Sequence, residues 1–207
     1  MKQIKIMTVL LAVLIIATNQ TQAQQGKTQL KVSHSIGIPV GSFTDAVEDI
    51  SPRGGNISIL YGISDKISLG GNVGFQDFYQ KFPRQVYTTS EGSHISAVLS
   101  NSIQVTPVLF TGQYNFLPGQ KIQPYASLGI GGNIITYSQL LGAYTNDSRS
   151  KVAFAAKPEV GINFPVAANR FQVGIGAAFN YMPFNYGGID NLNNLSIQGG
   201  ISFPLRR

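Results

Sequence analysis

The sequence predicts an all-β protein, an eight-stranded antiparallel transmembrane up-and-down β-barrel that follows a cleaved signal peptide. Three observations predict this fold. Apolar residues recur at every second position over many segments, short and long connections alternate along the chain, and the strands carry little charge. A period of two is the pattern of a strand whose two faces meet different environments.

Seven connections separate the segments of alternating hydrophobicity, which gives eight strands. The three short turns lie at residues 64–66, 117–120 and 165–169. The four longer polar stretches lie at residues 41–53, 77–93, 139–149 and 183–194. Short and long connections alternate, so all short turns fall on one side of the sheet. Outer-membrane barrels are connected in this way.

Each predicted strand has one apolar face and one face of small or polar residues. In the first strand, Val32 and Ile36 alternate with Ser33 and Ser35. Alternation alone does not say which face points inward, because a soluble lipocalin-like barrel places apolar residues inside and a membrane barrel places them outside.

The fourth strand departs from regular alternation. Its apolar residues change parity upstream, at Ile103 and Val105. A slip of one residue at Thr106-Pro107 predicts a β-bulge, a position at which proline is tolerated.

The distribution of charged residues decides which face of each strand points into the lumen. The polar face consists mainly of Gly, Ser, Gln and Asn, with charge only at Lys31, Lys151, Lys157 and Glu159. A charge facing lipid at mid-depth costs about 2–4 kcal/mol, so these four residues are predicted to point into the lumen. We expect a structural charge cluster with Glu159, the only acidic residue on a predicted strand face, as the counter-ion. Proton or ion conduction is the alternative.

Aromatic residues fall at two levels of the predicted barrel. Phe116, Phe164, Phe171 and Phe203 lie beside the short turns or near the C-terminus. A second set lies towards the long loops and consists of Phe75, Phe154, Tyr181 and Phe184. Two aromatic girdles at the membrane interfaces are typical of these barrels.

The N-terminus predicts export. A basic segment at residues 1–5 precedes twelve largely apolar residues at 6–17, and Thr21-Gln22-Ala23 places small residues at the −3 and −1 positions. This pattern predicts a signal peptide at 1–23 and a barrel domain at 24–207. The apolar segment is too short for a transmembrane helix, although a retained anchor is the alternative.

Composition excludes several functions. Charged residues make up 12% of the chain, and removal of Lys2 and Lys5 lowers the formal charge from +6 to +4, which does not favour nucleic-acid binding. The chain has no cysteine, so it has no disulfide, thiolate metal ligand or cysteine nucleophile. The acidic residues near Asp45 and Asp77 lack calcium-loop spacing, so no metal or cofactor is expected.

Residues 106–132 resemble a known family. The run contains Thr106-Pro107-Val108, Tyr114-Asn115-Phe116, a Pro-Gly turn, Gln123-Pro124-Tyr125 and Gly129-Ile130-Gly131. It resembles the outer-membrane β-barrel domain common in Bacteroidota, which is similar in architecture to small OmpA- and OmpX-type barrels.

This resemblance implies an integral outer-membrane protein with periplasmic termini. Its partners would be outer-membrane lipid, lipopolysaccharide and, during biogenesis, the barrel-assembly machinery. Many such barrels end on an aromatic residue that this machinery reads. This chain ends with Leu205-Arg206-Arg207, so Phe203 would have that role from an offset position.

Two histidines are candidates for chemistry. His94-Ile95-Ser96, with Glu91 nearby, has the H-x-S spacing of an outer-membrane lipid A deacylase, in which serine is the nucleophile and histidine the base. The tripeptide is common, so a non-enzymatic protein is predicted. His34 shares the apolar parity of the first strand, where a neutral imidazole or a local bulge that turns it inward is expected.

These observations favour a small, monomeric, non-enzymatic barrel with a structural or loop-mediated binding role at the cell surface. The extracellular ligand is not specified by the sequence. Transport of a small apolar molecule through a lateral opening and modification of lipid A are the alternatives.

Overall fold

The computed structural model describes residues 26–88, 92, 94–141, 144–166, 170–186 and 189–205. The predicted signal peptide lies outside these residues. In the part of the chain that is described, no helix is long and apolar enough to cross a membrane.

The described residues form ten strands and one short 3₁₀ helix. Their bounds are β1 Thr28–Pro39, the 3₁₀ helix Gly41–Asp45, β2 Ser51–Gly62, β3 Ile67–Thr88, β4 His94–Asn115, β5 Gln123–Leu141, β6 Tyr144–Val166, β7 Phe171–Asn180, β8 Pro183–Tyr186, β9 Ile189–Asn191 and β10 Asn194–Leu205. Eight of these strands close into a barrel in the order β1-β10-β7-β6-β5-β4-β3-β2, and β8 and β9 form a separate hairpin. The predicted eight-stranded antiparallel barrel is confirmed.

The strands are staggered around the barrel. A row of paired residues that leaves β6 at Phe164 returns to β6 at Phe154, a shift of ten residues. Such a stagger requires tilted strands. The row between these two residues passes through Val173, Ile201, Val32, Ile57, Val73, Val108 and Gly132.

Burial confirms the direction of the two faces. Ser33 and Ser35 of β1 are buried inside the barrel, whereas Val32 and Ile36 are 46% and 38% exposed on its outer wall. All barrel strands expose apolar side chains outward, including Ile57, Val73, Phe110, Ile130, Val160, Ile175 and Ile197. An apolar outer wall around a polar interior is the arrangement of a membrane barrel and not of a lipocalin.

The short turns predicted at residues 64–66 and 117–120 lie at one end of the barrel, which we call the turn end. The third connection joins β6 to β7 at the same end, and residues 167–169 lie outside the described residues. In the β2–β3 turn, the Ile63 amide donates to the Ile67 carbonyl at 3.0 Å. The Ser64 hydroxyl accepts from the Ile67 amide at 3.1 Å. Gly119 has φ +77° in the β4–β5 turn, a conformation that favours glycine.

The opposite, loop end differs from the prediction. Residues 77–93 and 139–149 were predicted as loops, but β3 continues to Thr88, β4 begins at His94, β5 continues to Leu141 and β6 begins at Tyr144. The stretch 183–194 contains the β8–β9 hairpin. Residues 84–86 of β3 are exposed on both faces, so apolar alternation is lost there although the ladder with β4 continues.

The predicted β-bulge at Thr106-Pro107 is wrong. β4 pairs with β5 in one unbroken register from Leu99 to Asn115. Ile103 and Val105 are fully buried inside the barrel. The parity change therefore marks a change in the lumen, from polar to apolar, and not a change in strand register. Register does shift elsewhere, between Ser35 and Gly37 in the β1–β2 ladder.

The loop-end half of the lumen is filled by a hydrophobic core, which we call the apolar plug. The 3₁₀ helix and the residues after it supply Phe43, Ala46 and Val47, and the chain from β7 to β10 supplies Met182, Phe184, Ile189 and Leu192. The barrel wall supplies Phe78, Ile103, Val105, Leu109, Ile135, Tyr137 and Ala155. Phe184, predicted in an aromatic girdle, is 6% exposed within this plug, which corrects that assignment.

Hydrogen bonds fasten the two loops of the plug to each other. Asn191 donates from Nδ2 to the Ser42 hydroxyl at 2.7 Å. The Val40 amide donates to the Asn193 carbonyl at 3.0 Å. Within the second loop, Asn193 Oδ1 accepts from the Met182 amide at 2.9 Å. The bonds of the Val40 and Met182 amides satisfy backbone groups that lie away from the barrel ladder.

Candidate functional site in the barrel lumen

Below the apolar plug, charged side chains meet in the middle of the lumen. Lys31 Nζ lies 3.0 Å from Glu159 Oε1, and Lys157 Nζ lies 3.6 Å from Glu159 Oε2. The Tyr125 hydroxyl donates to Glu159 Oε1 at 2.7 Å and accepts from Lys31 Nζ at 2.9 Å. We call these four residues the lumen cluster. Glu159 is thus the counter-ion of two ammonium groups, and it accepts hydrogen bonds from Lys31 and from the Tyr125 phenol.

Strand alternation brings these residues to one place. Lys157 and Glu159 lie two residues apart on β6, so both point inward, while Lys31 reaches them from β1 and Tyr125 from β5. The side chains of Lys31, Glu159 and Lys157 are 13%, 9% and 7% exposed. Buried charges of this kind are stable only when they are paired and hydrogen-bonded.

Two glycines make room for Tyr125, which is 2% exposed. A Cβ atom at Gly161 would lie 2.6 Å from the Tyr125 hydroxyl oxygen, and one at Gly176 would lie 2.8 Å from it. Real Cβ atoms do not approach so closely. The inward glycines of β6 and β7 are therefore required for the aromatic ring to cross the lumen.

Lys157 also bonds to two amides on the other side of the lumen. Its Nζ donates to Asn56 Oδ1 at 3.2 Å and to Gln198 Oε1 at 3.4 Å. Asn56 Nδ2 donates to the same Gln198 oxygen at 3.3 Å. The cluster thereby links β1, β2, β5, β6 and β10 across the barrel.

Lys151, the fourth predicted charge, lies elsewhere. Its Nζ donates to the Asn185 carbonyl at 3.4 Å and lies 5.8 Å from the centre of the Phe184 ring. Lys151 is eight residues from Glu159 on the same strand, or about 26 Å at ~3.3 Å per residue. Lys151 is on the inward-facing side of β6, as predicted, because it pairs with the buried Ile135. Its position farther along the strand separates it from the lumen cluster.

Glu159 is also not the only acidic residue on a strand. Asp77, predicted in a loop, belongs to β3 and pairs on the outer wall with Arg53, with 3.3 Å between Oδ2 and Nη1. The Ser51 hydroxyl bonds to the Asp77 carbonyl. This pair lies at the loop-end limit of the apolar outer wall.

Around the lumen cluster, the described residues leave small cavities. Two cavities of about 20 Å³ adjoin Lys157, one below the apolar plug and one beside Glu159. Each has room for about one water molecule. Asn72 lines the second cavity, and its buried Oδ1 has no hydrogen-bond partner among the described residues, so a water molecule fits there.

Within the described ranges, no group of three or more His, Asp or Glu side chains is arranged to hold a metal ion. His94 and Ser96 lie near the tip of the β3–β4 hairpin, opposite Thr88 and Val86. Glu91, the candidate acid, lies outside the described residues. The lumen cluster offers ion pairs and hydrogen bonds among buried side chains.

Sequence reasoning missed the uncharged members of the lumen network. Asn56, Tyr125 and Gln198 all have inward parity, which the sequence shows, but parity does not say which strands face each other across the lumen. The glycines opposite Tyr125 carried a signal, because a large inward side chain in a narrow barrel requires small neighbours.

Comparison with known families decides the assignment. Residues 8–203 match the sequence model of the outer membrane protein beta-barrel domain. The chain belongs to this family. The resemblance seen at residues 106–132 is therefore confirmed, and this barrel is an outer-membrane protein.

Several solved structures share the fold of this barrel. The N-terminal β-barrel domain of Pseudomonas aeruginosa OprF is 12% identical, with a TM-score of 0.51, over 87% of this chain and 98% of that one. Pseudomonas aeruginosa OprG is 11% identical, with a TM-score of 0.52, over 91% and 100%. Neisserial surface protein A is 14% identical, with a TM-score of 0.51, over 86% and 96%. At these identities the likeness concerns the fold, and no curated protein matches the chain.

The outer wall of this outer-membrane barrel carries aromatic residues at both ends. At the turn end, Phe116 and Phe164 are exposed, and the rings of Phe171 and Phe203 lie 6.4 Å apart. Towards the loop end, Phe75 is exposed, and the rings of Phe154 and Tyr181 lie 6.4 Å apart. Aromatic side chains at these levels suit the two membrane interfaces.

Proposed function

We propose that this protein is a closed, monomeric, non-enzymatic outer-membrane barrel that contacts ligands or surfaces through its loop end, with its loops outside the cell and its termini in the periplasm. The observation that carries this proposal is a sheet that extends past the barrel. β3, β4, β5 and β6 continue together beyond the level at which β2 and β7 end. We call this extension the protruding sheet.

The far part of the protruding sheet is exposed, as at residues 84–86 and 148–150, and among the described residues neither edge has a ladder partner. The β2–β3 ladder ends at Gln76, while β3 continues for twelve residues, about 40 Å of strand at ~3.3 Å per residue. Beyond the bridge from Ala156 to Tyr181, β6 also continues without a ladder partner on its β7 side among the described residues. Unpaired strand edges are surfaces on which other chains can pair.

A filled lumen supports the contact role over transport. The apolar plug closes one half of the lumen and the lumen cluster closes the other. A small apolar molecule that entered from the side would have to displace one of these two packed regions. The geometry therefore does not favour the transport alternative.

The first test is orientation. The chain has no cysteine, so a single introduced thiol reports its own position. Gln85→Cys lies on the protruding sheet and Gln120→Cys lies in the β4–β5 turn, and both positions are exposed. On intact cells, a membrane-impermeant maleimide is expected to label Gln85→Cys and to leave Gln120→Cys unlabelled until the cells are lysed. The reverse pattern would place the loops in the periplasm and reject the proposal.

The second test is conductance. The barrel is expected to give no steady nanosiemens-scale current in planar bilayers, because eight strands leave room only for their own side chains. A large open porin measured in the same bilayers is the positive control. A steady current of that size from the purified monomer would show that the plug or the cluster opens.

A further inference from the structure

A shallow groove crosses the lipid-facing wall over β1, β2 and β3. Its volume is about 610 Å³, and its apolar lining includes Val32, Ile57, Val73 and Phe75. It forms where side chains are missing from the wall, at glycines such as Gly55. A Cβ atom at Gly55 would meet only the Ser33 carbonyl oxygen, at 3.4 Å, so its outward direction leads to open space.

His34 is the polar side chain in the middle of this groove. It is exposed on the outer wall, so it is not turned inward by a bulge. Its cross-strand neighbours are Gly55 on β2 and Gly199 on β10. A Cβ atom at Gly199 would meet nothing within 4 Å. The imidazole therefore stands on a strip of wall that has no neighbouring side chain on either flank.

Among the described residues, no hydrogen-bond partner faces the His34 imidazole. A neutral imidazole carries one donor and one acceptor, and leaving these unsatisfied in hydrocarbon is costly. The strand end at Thr28 lies six residues away and the end at Pro39 five residues away, so His34 lies within the apolar band. At this depth, the molecules available to bond to it are membrane lipids.

A cation lies at the upper end of the same groove. Arg53 lines the groove two residues from Gly55, about 7 Å along the strand at ~3.3 Å per residue. Its side chain is 63% exposed, and its guanidinium lies 5.7 Å from the centre of the Tyr79 ring. Among the described residues, the contact with Asp77 uses Nη1 of Arg53. Several of the five N–H donors of the guanidinium can therefore contact an anionic group.

We propose that this groove is a binding site for one anionic lipid that carries a hydroxyl group on its acyl chain. Arg53 contacts the anionic headgroup, the chain lies on the strip at Gly55, and His34 bonds to the chain hydroxyl. Lipid A has this combination of groups. The site follows from the outer-membrane assignment, and only the choice of leaflet rests on the proposed orientation.

A second groove on the outer wall differs from the groove at His34 in its polar groups. This groove, of about 380 Å³, is lined by Ile67, Tyr114, Ala126 and Leu128. No charged or imidazole side chain lines it. Such a surface matches any hydrocarbon chain. The groove at His34 combines a similar apolar surface with a cation and an imidazole at two depths.

The test is lipid binding to the detergent-folded, full-length barrel, followed by native mass spectrometry. Lipid A with hydroxylated chains is compared with phosphatidylglycerol, which is anionic but has no chain hydroxyl. Gly55→Leu fills the groove. Gly71→Leu is the matched control, because Gly71 also faces outward into open space, with a Cβ position 4.0 Å from the nearest atom, and lies outside the groove.

Four results are expected. The parent protein binds lipid A more tightly than phosphatidylglycerol, and Gly55→Leu weakens lipid A binding at least tenfold while Gly71→Leu does not. His34→Leu lowers the preference for lipid A by roughly fivefold to tenfold, the scale of one hydrogen bond. Arg53→Gln weakens the binding of both anionic lipids.

The opposite results overturn the proposal. Equal binding of the two lipids by the parent protein would reduce the groove to ordinary lipid contact, and equal effects of Gly55→Leu and Gly71→Leu would reject the site. Circular dichroism of each variant is the control for correct folding of the barrel. Because binding in detergent does not depend on orientation, failure here leaves the thiol-labelling test of the proposed function unaffected.

Discussion

Glu159→Gln is expected to lower the unfolding free energy of the detergent-folded barrel by about 3–5 kcal/mol, because removal of one partner leaves buried charge without compensation. The amide keeps the shape of the carboxylate, so packing around Tyr125 is preserved. Lys31 and Lys157 then remain as two ammonium groups in a closed lumen, both of which bond to Glu159 in the parent protein. The urea midpoint measures the loss.

Two further variants test whether the loss of stability comes from buried, unpaired charge. Lys157→Met added to Glu159→Gln is expected to recover part of the loss, since it removes one of the stranded charges. Asp77→Asn breaks the ion pair on the outer wall, where Arg53 is 63% exposed, and is expected to cost less than about 1 kcal/mol. If Glu159→Gln cost no more than Asp77→Asn, water would reach the lumen cluster and the interior would be more open than the cavities indicate.

Phe43→Ala is expected to cost about 3–5 kcal/mol, the range for removal of a buried phenylalanine side chain. Phe43 has no exposed surface, and its ring meets that of Phe78 edge to face, with centroids 4.8 Å apart. Truncation leaves a cavity at the centre of the apolar plug. The urea midpoint is expected to fall, and hydrogen exchange at the Val40 and Leu192 amides, which bond within the plug, is expected to accelerate.

One control variant changes the size of the side chain at Phe43, and the other truncates a side chain outside the plug. Phe43→Leu keeps an apolar side chain of similar volume and is expected to cost less than about 1.5 kcal/mol. Val86→Ala, at a residue that is 69% exposed on the protruding sheet, is expected to change stability by less than about 0.5 kcal/mol. Equal effects of Phe43→Ala and Val86→Ala would show that the plug does not stabilise the barrel.

The sequence was most informative where each strand crosses the membrane. Alternation in β1 predicted that Ser33 and Ser35 point inward and that Val32 points to lipid, and the structure agrees. Alternation failed at the loop end for two different reasons. The far part of the protruding sheet is exposed on both faces, as at residues 84–86. The upper lumen is apolar, so Ile103 and Val105 looked like a slip of register.

For the lumen cluster, too, the sequence predicted one part and missed another. Inward parity identified Lys31, Lys157 and Glu159, but it equally included Lys151, which lies far along β6. It did not assign a role to Tyr125 as the shared donor to Glu159. Parity has a period of two residues, whereas contact across a barrel depends on the height of each residue and on the stagger between strands.

By itself, the sequence determined the all-β architecture, the number of barrel strands, the turn end and the polarity of the two faces. These properties follow from local chemistry, because each strand residue faces either lipid or the interior. Only the tertiary structure decided which inward residues meet. Lys31 and Glu159 are separated by 128 positions in sequence, and the ten-residue stagger of the closed barrel brings them together. The apolar plug likewise exists only because two distant loops fold into the same end of the lumen.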